Sequence, residues 1–326
     1  MHAPEVSEAL KQRAAQLDSI SDAVDDVNIL KGFDDQSTFD AAKDKAGFRQ
    51  YDEACDRVKG FYAEQHAKQT LAYNLRIREQ FSQSVRARMS VWEAMEMLNE
   101  LVDESDPDTS VGQIEHLLQT AEAIRRDGKP EWMQLTGLVH DLGKLLCFFG
   151  AEGQWDVVGD TFVVGCRYSD KIIYADTCGF EAIRPSFAPV DGRRCTDPGY
   201  CVVAANPDSR DEKLQTENGI YEPGCGLDNV LLSWGHDEYL YNICKKQSTL
   251  PAEALSMIRY HSFYPWHREN AYQHLMDEND KVQLRAVRAF NPYDLYSKSD
   301  EPPSAEKLKP YYLGLIEKYF PAVVEW

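Results

Sequence analysis

His140 and Asp141 stand side by side in WMQLTGLVHDLGKLLCFF (132–149), a run that is apolar nearly all round. An imidazole and a carboxylate left unpaired in such surroundings cost on the order of several kcal/mol, so each needs a partner. A metal ion at the side of the helix would satisfy both at once, through the imidazole nitrogen and the carboxylate oxygen. A structural hydrogen-bonded pair would serve as well, and the dipeptide alone does not choose. His261 shares helical spacing with Ala254, Met257 and Ile258 in a stretch dense in aromatic residues. That puts it on a buried face, as a ligand or as a hydrogen-bonded core histidine. His236 follows Gly235, which permits close backbone approach, and precedes Asp237 and Glu238, either of which could orient the ring. His116 is different: Ile114, Leu117, Leu118 and Ala121 form the apolar stripe of its helix, and it lies off that stripe beside Thr120 and Ala123. A solvated histidine accounts for it unless that second face turns to the site.

These residues need elements to hold them. Residues 1–45 are acidic and poor in large apolar side chains, which predicts a mobile or surface-draped arm ahead of one catalytic domain over 46–326. From Gly47 to Glu100 the composition predicts two long helices. DESDPD (103–108) is a turn, and Asp108 to Ser110 would cap the helix carrying His116. Pro130 opens the helix carrying His140. Residues 151–225 are rich in Gly, Pro, Asn and Asp, with β-branched runs FVVG and KIIYA, and predict loops with a small strand pair. Helices follow over GLDNVLLSWGHDEYLYNICKK (226–246) and PAEALSMIRYHSFYPWH (251–267), then one from Asp280 into FNPYDLYSK. The fold class predicted is mainly α, with a small β-hairpin or short strands in the loops.

Composition excludes several roles. A net charge of −19 repels nucleic-acid backbones and anionic membrane surfaces. No stretch approaches the roughly 18 to 20 apolar residues of a membrane span, and MHAPEVSEALKQRAAQ has no apolar run, so a soluble cytoplasmic protein is expected. The eight cysteines are dispersed and form no C-x-x-C pair, which suits reduced thiols, with a local pairing of Cys195 and Cys201 left open.

The order His116, His140-Asp141, Asp294 resembles that of the HD-domain superfamily, helical metal-binding proteins of which many are phosphohydrolases. Four histidines and two aspartates offer donors for two ions, and a set without cysteine suits iron or manganese better than a structural zinc. Longer runs are more specific. LVDESDPD, HLLQTAEAIR, GLVHDLGK, WDVVGDTFVVGC, LLSWGHDEYLY, MIRYHSFYPWH and FNPYDLYSK, spread from about Gly47 to the C-terminus, closely resemble the myo-inositol oxygenase family.

That resemblance implies an HD-domain-like helical bundle and a mixed-valent pair of iron ions on His116, His140, Asp141, His236, His261 and Asp294, Asp141 bridging. It implies a monomer that opens the ring of myo-inositol with dioxygen to give D-glucuronate. The substrate contacts it implies are Arg49, Asp103, Glu104, Ser105, Lys144, Gly159, Asp160, His261, Ser262 and Lys298, with Lys144 and Asp141 as the catalytic pair. Tyr62 would help cover the cavity. The chain departs from the family between about Asp176 and Asn206, which reads as a surface insertion. The competing function is a metal-dependent HD-type phosphohydrolase, which would need Lys144 and Lys298 as cationic clamps; the carboxylates of DESDPD would repel its phosphate.

Overall fold

The computed structural model describes residues 39, 51, 56–103, 112–175, 206–297 and 303–326. The acidic arm apart from Phe39, the stretch 108–110, the 176–206 segment up to residue 205 with Cys195 and Cys201, and Arg49, Glu104, Ser105 and Lys298 lie outside the described residues.

The architecture is mainly α, as the composition predicts. Among its described residues, the region expected to hold two long helices holds three: α1 (Asp56–Lys68), α2 (Leu71–Ser82) and α3 (Val91–Leu98). Local capping accounts for the extra breaks. Thr70 Oγ1 accepts the Tyr73 N–H at 3.0 Å and starts α2. Ser90 and Glu93 form a reciprocal box that starts α3: Ser90 N–H donates to Glu93 at 2.8 Å, and Glu93 N–H donates to Ser90 Oγ at 3.3 Å. Just ahead of α3, β1 (Arg88–Met89) pairs antiparallel with β2 (Val324–Glu325), matching Arg88 with Glu325 and Met89 with Val324. The sheet therefore joins remote segments and is no hairpin. The strand pair expected from FVVG and KIIYA reduces to an isolated bridge between Val163 and Leu232, and KIIYA lies in turns.

Gly112, not the 108–110 stretch, precedes α4 (Gln113–Arg126); its N–H donates to Glu115 at 3.2 Å, while Asn99 Oδ1 accepts the Ile114 N–H. Joined to it by a short connection, α5 (Glu131–Val139) packs on α4. Gly137 makes that approach possible, since a Cβ there would lie 2.8 Å from Ile124 Cδ1 and 3.2 Å from the Ala121 backbone. The helix predicted to run on through His140 ends there, and a 3-10 helix takes over from Leu142 to Phe148. Likewise the helix predicted from Gly226 begins only at His236, as α6 (His236–Gln247). It packs on α7 (Ala252–Tyr260), followed by a short α8 (Tyr264–His267), a long α9 (Glu278–Tyr296) that crosses α7 and α4, and α10 (Ala305–Tyr319). The largest core unites apolar side chains of α1 to α7 and α10, and a second surrounds Trp266, Phe263 and Tyr272. No described helix is long and apolar enough to cross a membrane.

Candidate metal centre

Two helices end on a histidine in the same way. His140 closes α5 and His261 closes α7, and each ring folds back so that Nδ1 lies 2.9 Å from the carbonyl three residues upstream, Gly137 O and Ile258 O. His236 opens α6, with both its N–H and its Nδ1 directed at Val157 O, at 2.8 and 2.7 Å. A carbonyl only accepts, so Nδ1 carries a proton in all three rings, and Nε2 is the atom through which each could hold a metal ion.

Those Nε2 atoms converge. The Nε2 atoms of His236 and His261 are 3.2 Å apart. His140 Nε2 lies 3.2 Å and His116 Nε2 3.1 Å from Asp294 Oδ1, which α9 supplies. Between the two groups stands Asp141, in the step from α-helix to 3-10 helix. Its Oδ1 lies 3.4 Å from both His236 and His261, and its Oδ2 lies 3.6 Å from His140 and 3.7 Å from His116. All of these side chains are buried. His116, which its helical stripe leaves open between solvent and the site, is 7% exposed because α4 is covered on a second face by α9.

Imidazole nitrogens and carboxylate oxygens packed this closely, with no sulfur among them, form a donor set that a metal cation would satisfy. The local field has that sense. Burial opposes charge on His236, but Asp237 and Asp141 push its imidazole up to about 10. Burial likewise opposes the charge on Asp141, yet Lys144 and His140 hold its carboxyl well below the usual carboxylate range. Asp294 is held low against burial by His140 and His116. Three sets of ligand atoms lie close enough to share an ion: His116, His140 and Asp294; His140, Asp141 and His261; His236, Asp237 and His261. The residues present fit metal ions.

Around this centre, Lys144 Nζ lies 2.9 Å from Asp103 and 3.0 Å from Asp141. It is a buried, doubly paired ammonium and not a snorkelling one. The Thr161 N–H donates to Ser262 O at 2.9 Å, which brings the Gly159–Asp160 loop against the residue after His261. Gly159 has φ +91°, and a Cβ there would meet Phe61 at 2.7 Å. Tyr62 is fully buried, its hydroxyl accepting the Asp160 N–H at 3.3 Å and lying 3.2 Å from Tyr51 Oη.

Of the two residues expected to orient His236, Asp237 does contact its ring, at 2.8 Å from Nε2. Glu238 does not; it pairs with Arg259 at 2.8 Å. Sequence reasoning missed Gln69. This fully buried amide accepts the Trp234 N–H at 3.0 Å and donates to Trp234 O at 2.8 Å, clamping the strand of chain that delivers His236. Only its position just before the cap residue Thr70 hints at the role.

The fold and site define a helical protein whose buried histidine and aspartate groups could hold metal ions. Comparison with known proteins narrows the class. The myo-inositol oxygenase family model matches residues 55–183 and 200–326, and the chain belongs to that family. It is 48% identical over 286 residues to a probable inositol oxygenase of Oryza sativa subsp. japonica, covering 86% of this chain and 85% of the relative. It is 44% identical over 295 residues to the inositol oxygenase of Dictyostelium discoideum, covering 88% and 92%, and 44% over 291 residues to that of Homo sapiens, covering 88% and 93%.

Proposed function

We propose that this chain opens the ring of myo-inositol with dioxygen, giving D-glucuronate and water, on two iron ions. The observation that carries the reading is the split of Asp141: one oxygen faces the His236 and His261 pair, the other faces His116, His140 and Asp294. Each half offers nitrogen and oxygen donors without sulfur, a set suited to iron. His116, His140 and Asp294 would hold one ion, His236 and His261 the other, and Asp141 would bridge them. A mixed-valent pair of iron ions supplies dioxygen activation and Lewis acidity toward the inositol hydroxyls.

The remaining steps belong to the protein. Burial opposes the Lys144 charge, but Asp103 and Asp141 raise its ammonium well above the ordinary range. Lys144 therefore holds its proton at Nζ and would donate to an inositol oxygen as negative charge develops there, instead of acting as a base. Asp103, Asp160 and Ser262, with Arg49, Glu104, Ser105, Gly159, His261 and Lys298, would line the polyol, and the apolar shell of Tyr62 and Phe61 would keep bulk water out. A phosphohydrolase would need Lys144 as a free clamp, and Asp103 and Asp141 already hold it.

We further infer one catalytic unit from residue 46 onward, with 176–206 as a surface insertion, acting as a monomer in the cytoplasm. Among the described cysteines, Cys166, Cys225 and Cys244 carry free thiols, in keeping with a reducing compartment. The test is oxygen uptake by chain loaded anaerobically with ferrous iron and then partly oxidised, with glucuronate assayed alongside. Uptake matched by glucuronate and lost in His261→Ala supports the reading; iron-loaded chain that consumes no oxygen with inositol, or that hydrolyses phosphate esters instead, overturns it.

A further inference from the structure

Asp237 is the second residue of α6 and 1% exposed; its carboxylate lies between the residue after His261 and the rings of the centre, Oδ1 being 2.8 Å from His236 Nε2 and 3.4 Å from His261 Nε2. Oδ2 accepts the Ser262 backbone N–H and Oδ1 accepts the Ser262 hydroxyl, each at 3.1 Å. The Ser262 carbonyl is tied in turn by Thr161 N–H at 2.9 Å, and the carbonyl of His261 accepts from His267 Nε2 at 2.9 Å. The serine backbone is thus fixed on both sides, and only the direction of one hydroxyl proton remains to be set.

A carboxylate can only accept, whereas a serine hydroxyl has one proton and two lone pairs. The other acceptor within reach is His236 Nε2, 3.2 Å from Ser262 Oγ. Its lone pair is the one the proposed centre uses, because Nδ1 is committed to Val157 O. The proton therefore goes to Asp237. From this we infer that Asp237 is a positioning residue that fixes Ser262 as a hydrogen-bond acceptor, so that an inositol hydroxyl must donate to it. The inference rests on the reading of Ser262 as a substrate contact. It makes the substrate wall polar in a defined sense: Lys144 donates, Ser262 accepts, and a bound polyol must present an accepting oxygen to one and a hydroxyl proton to the other.

The test is a double-mutant cycle of Asp237→Asn and Ser262→Ala in iron-loaded enzyme, reading KM, kcat and iron bound per chain. An asparagine can donate from its amide to Ser262 Oγ and reverse the hydroxyl. The expected results are a rise in KM of about ten-fold for either single variant with iron content kept, and no further rise in the double variant. An equal rise from Asp237→Asn in both backgrounds marks a merely structural role and overturns the proposal, as does loss of iron in Asp237→Asn. If Ser262→Ala raises KM and Asp237→Asn does not, the proposal alone fails. If Ser262→Ala leaves KM unchanged, Ser262 is no substrate contact and both readings fail. Should Asp237→Asn not fold, monofluorodeoxy-inositols decide: one of them, lacking the donor that reaches Ser262, binds wild type about ten-fold more weakly than inositol, and Ser262→Ala removes that gap. A gap unchanged by Ser262→Ala for every analogue overturns the proposal.

Discussion

Gly143 lies so close to His236 that a Cβ on it would sit 2.0 Å from the His236 carbonyl oxygen. The contact presses the 3-10 helix that carries Lys144 against the first residue of α6, and no side chain fits between them. Gly143→Ala is therefore expected to destabilise by at least about 1–3 kcal/mol, the usual range for overpacking, and to lower iron content by displacing His236. Gly60 is the contrast, since a Cβ there meets nothing within 4 Å inside α1. Gly60→Ala should be neutral or stabilising by up to about 1 kcal/mol. Urea unfolding with iron analysis compares them, and equal behaviour of the two variants would refute the steric argument.

The two aspartates of the centre should fail differently. Asp294→Asn weakens the donor that faces His116 and His140 and leaves His236 and His261 as they are. Iron binding is expected to fall to about one ion per chain, since affinity at a site follows its ligand set. Asp141→Asn weakens the oxygen shared by both halves, so both ions bind less tightly and magnetic coupling between them is lost. Titration with ferrous iron followed by electron paramagnetic resonance checks this; identical titrations for the two variants would contradict the bridging role.

Much of this centre was legible from residue type, and less from periodicity. His140-Asp141 in an apolar run signals a buried polar pair because burial makes an unpaired one costly, and both residues do meet the centre. Helical spacing placed His261 correctly on a buried face. It left His116 undecided between solvent and the site, because a single stripe cannot show that a second element, α9, covers the other side of α4. The continuous helix expected through His140 was also wrong: a composition apolar on all sides looks the same in an α-helix and in the 3-10 helix that follows it. Gln69 left only the hint of its place before a cap residue, since its role depends on Trp234, which lies far along the chain.

Two buried histidines predict opposite pH dependences in the iron-free chain. His66, packed against Phe162 and near Tyr62 and Tyr168, is pushed down by burial to about 3. Unfolding then takes up a proton between that value and 6.5, so its contribution is complete above 6.5 and is lost as pH falls, by up to about 1.4 kcal/mol per pH unit. His236 is raised to about 10, burial notwithstanding, by Asp237 and Asp141. Its contribution is complete below 6.5 and is lost as pH rises toward 10. His66→Phe should make the acid arm of Tm against pH shallower, and iron should abolish the alkaline arm by taking the His236 lone pair. An alkaline arm that survives iron loading would count against His236 as a ligand.

Lys144 is the one buried ammonium described between two carboxylates of the site, 2.9 Å from Asp103 and 3.0 Å from Asp141. Lys144→Met keeps the length and removes the charge, leaving both carboxylates buried without it. The expected cost is about 3–5 kcal/mol, as for a broken buried pair, with a fall in kcat/KM of at least about 100-fold. Lys144→Arg should not rescue activity, because a planar fork cannot replace a compact ammonium in so small a space. The informative variant is Lys144→Met with Asp103→Asn. Neutralising Asp103 removes one of the stranded charges, so much of the lost stability should return. Activity should not, because nothing then donates to the developing alkoxide. Denaturation and oxygen-uptake assays on the same preparations separate the two effects. Recovery of both in the double variant would mean that Lys144 serves only to neutralise Asp103, and its part in the reaction would have to be given up.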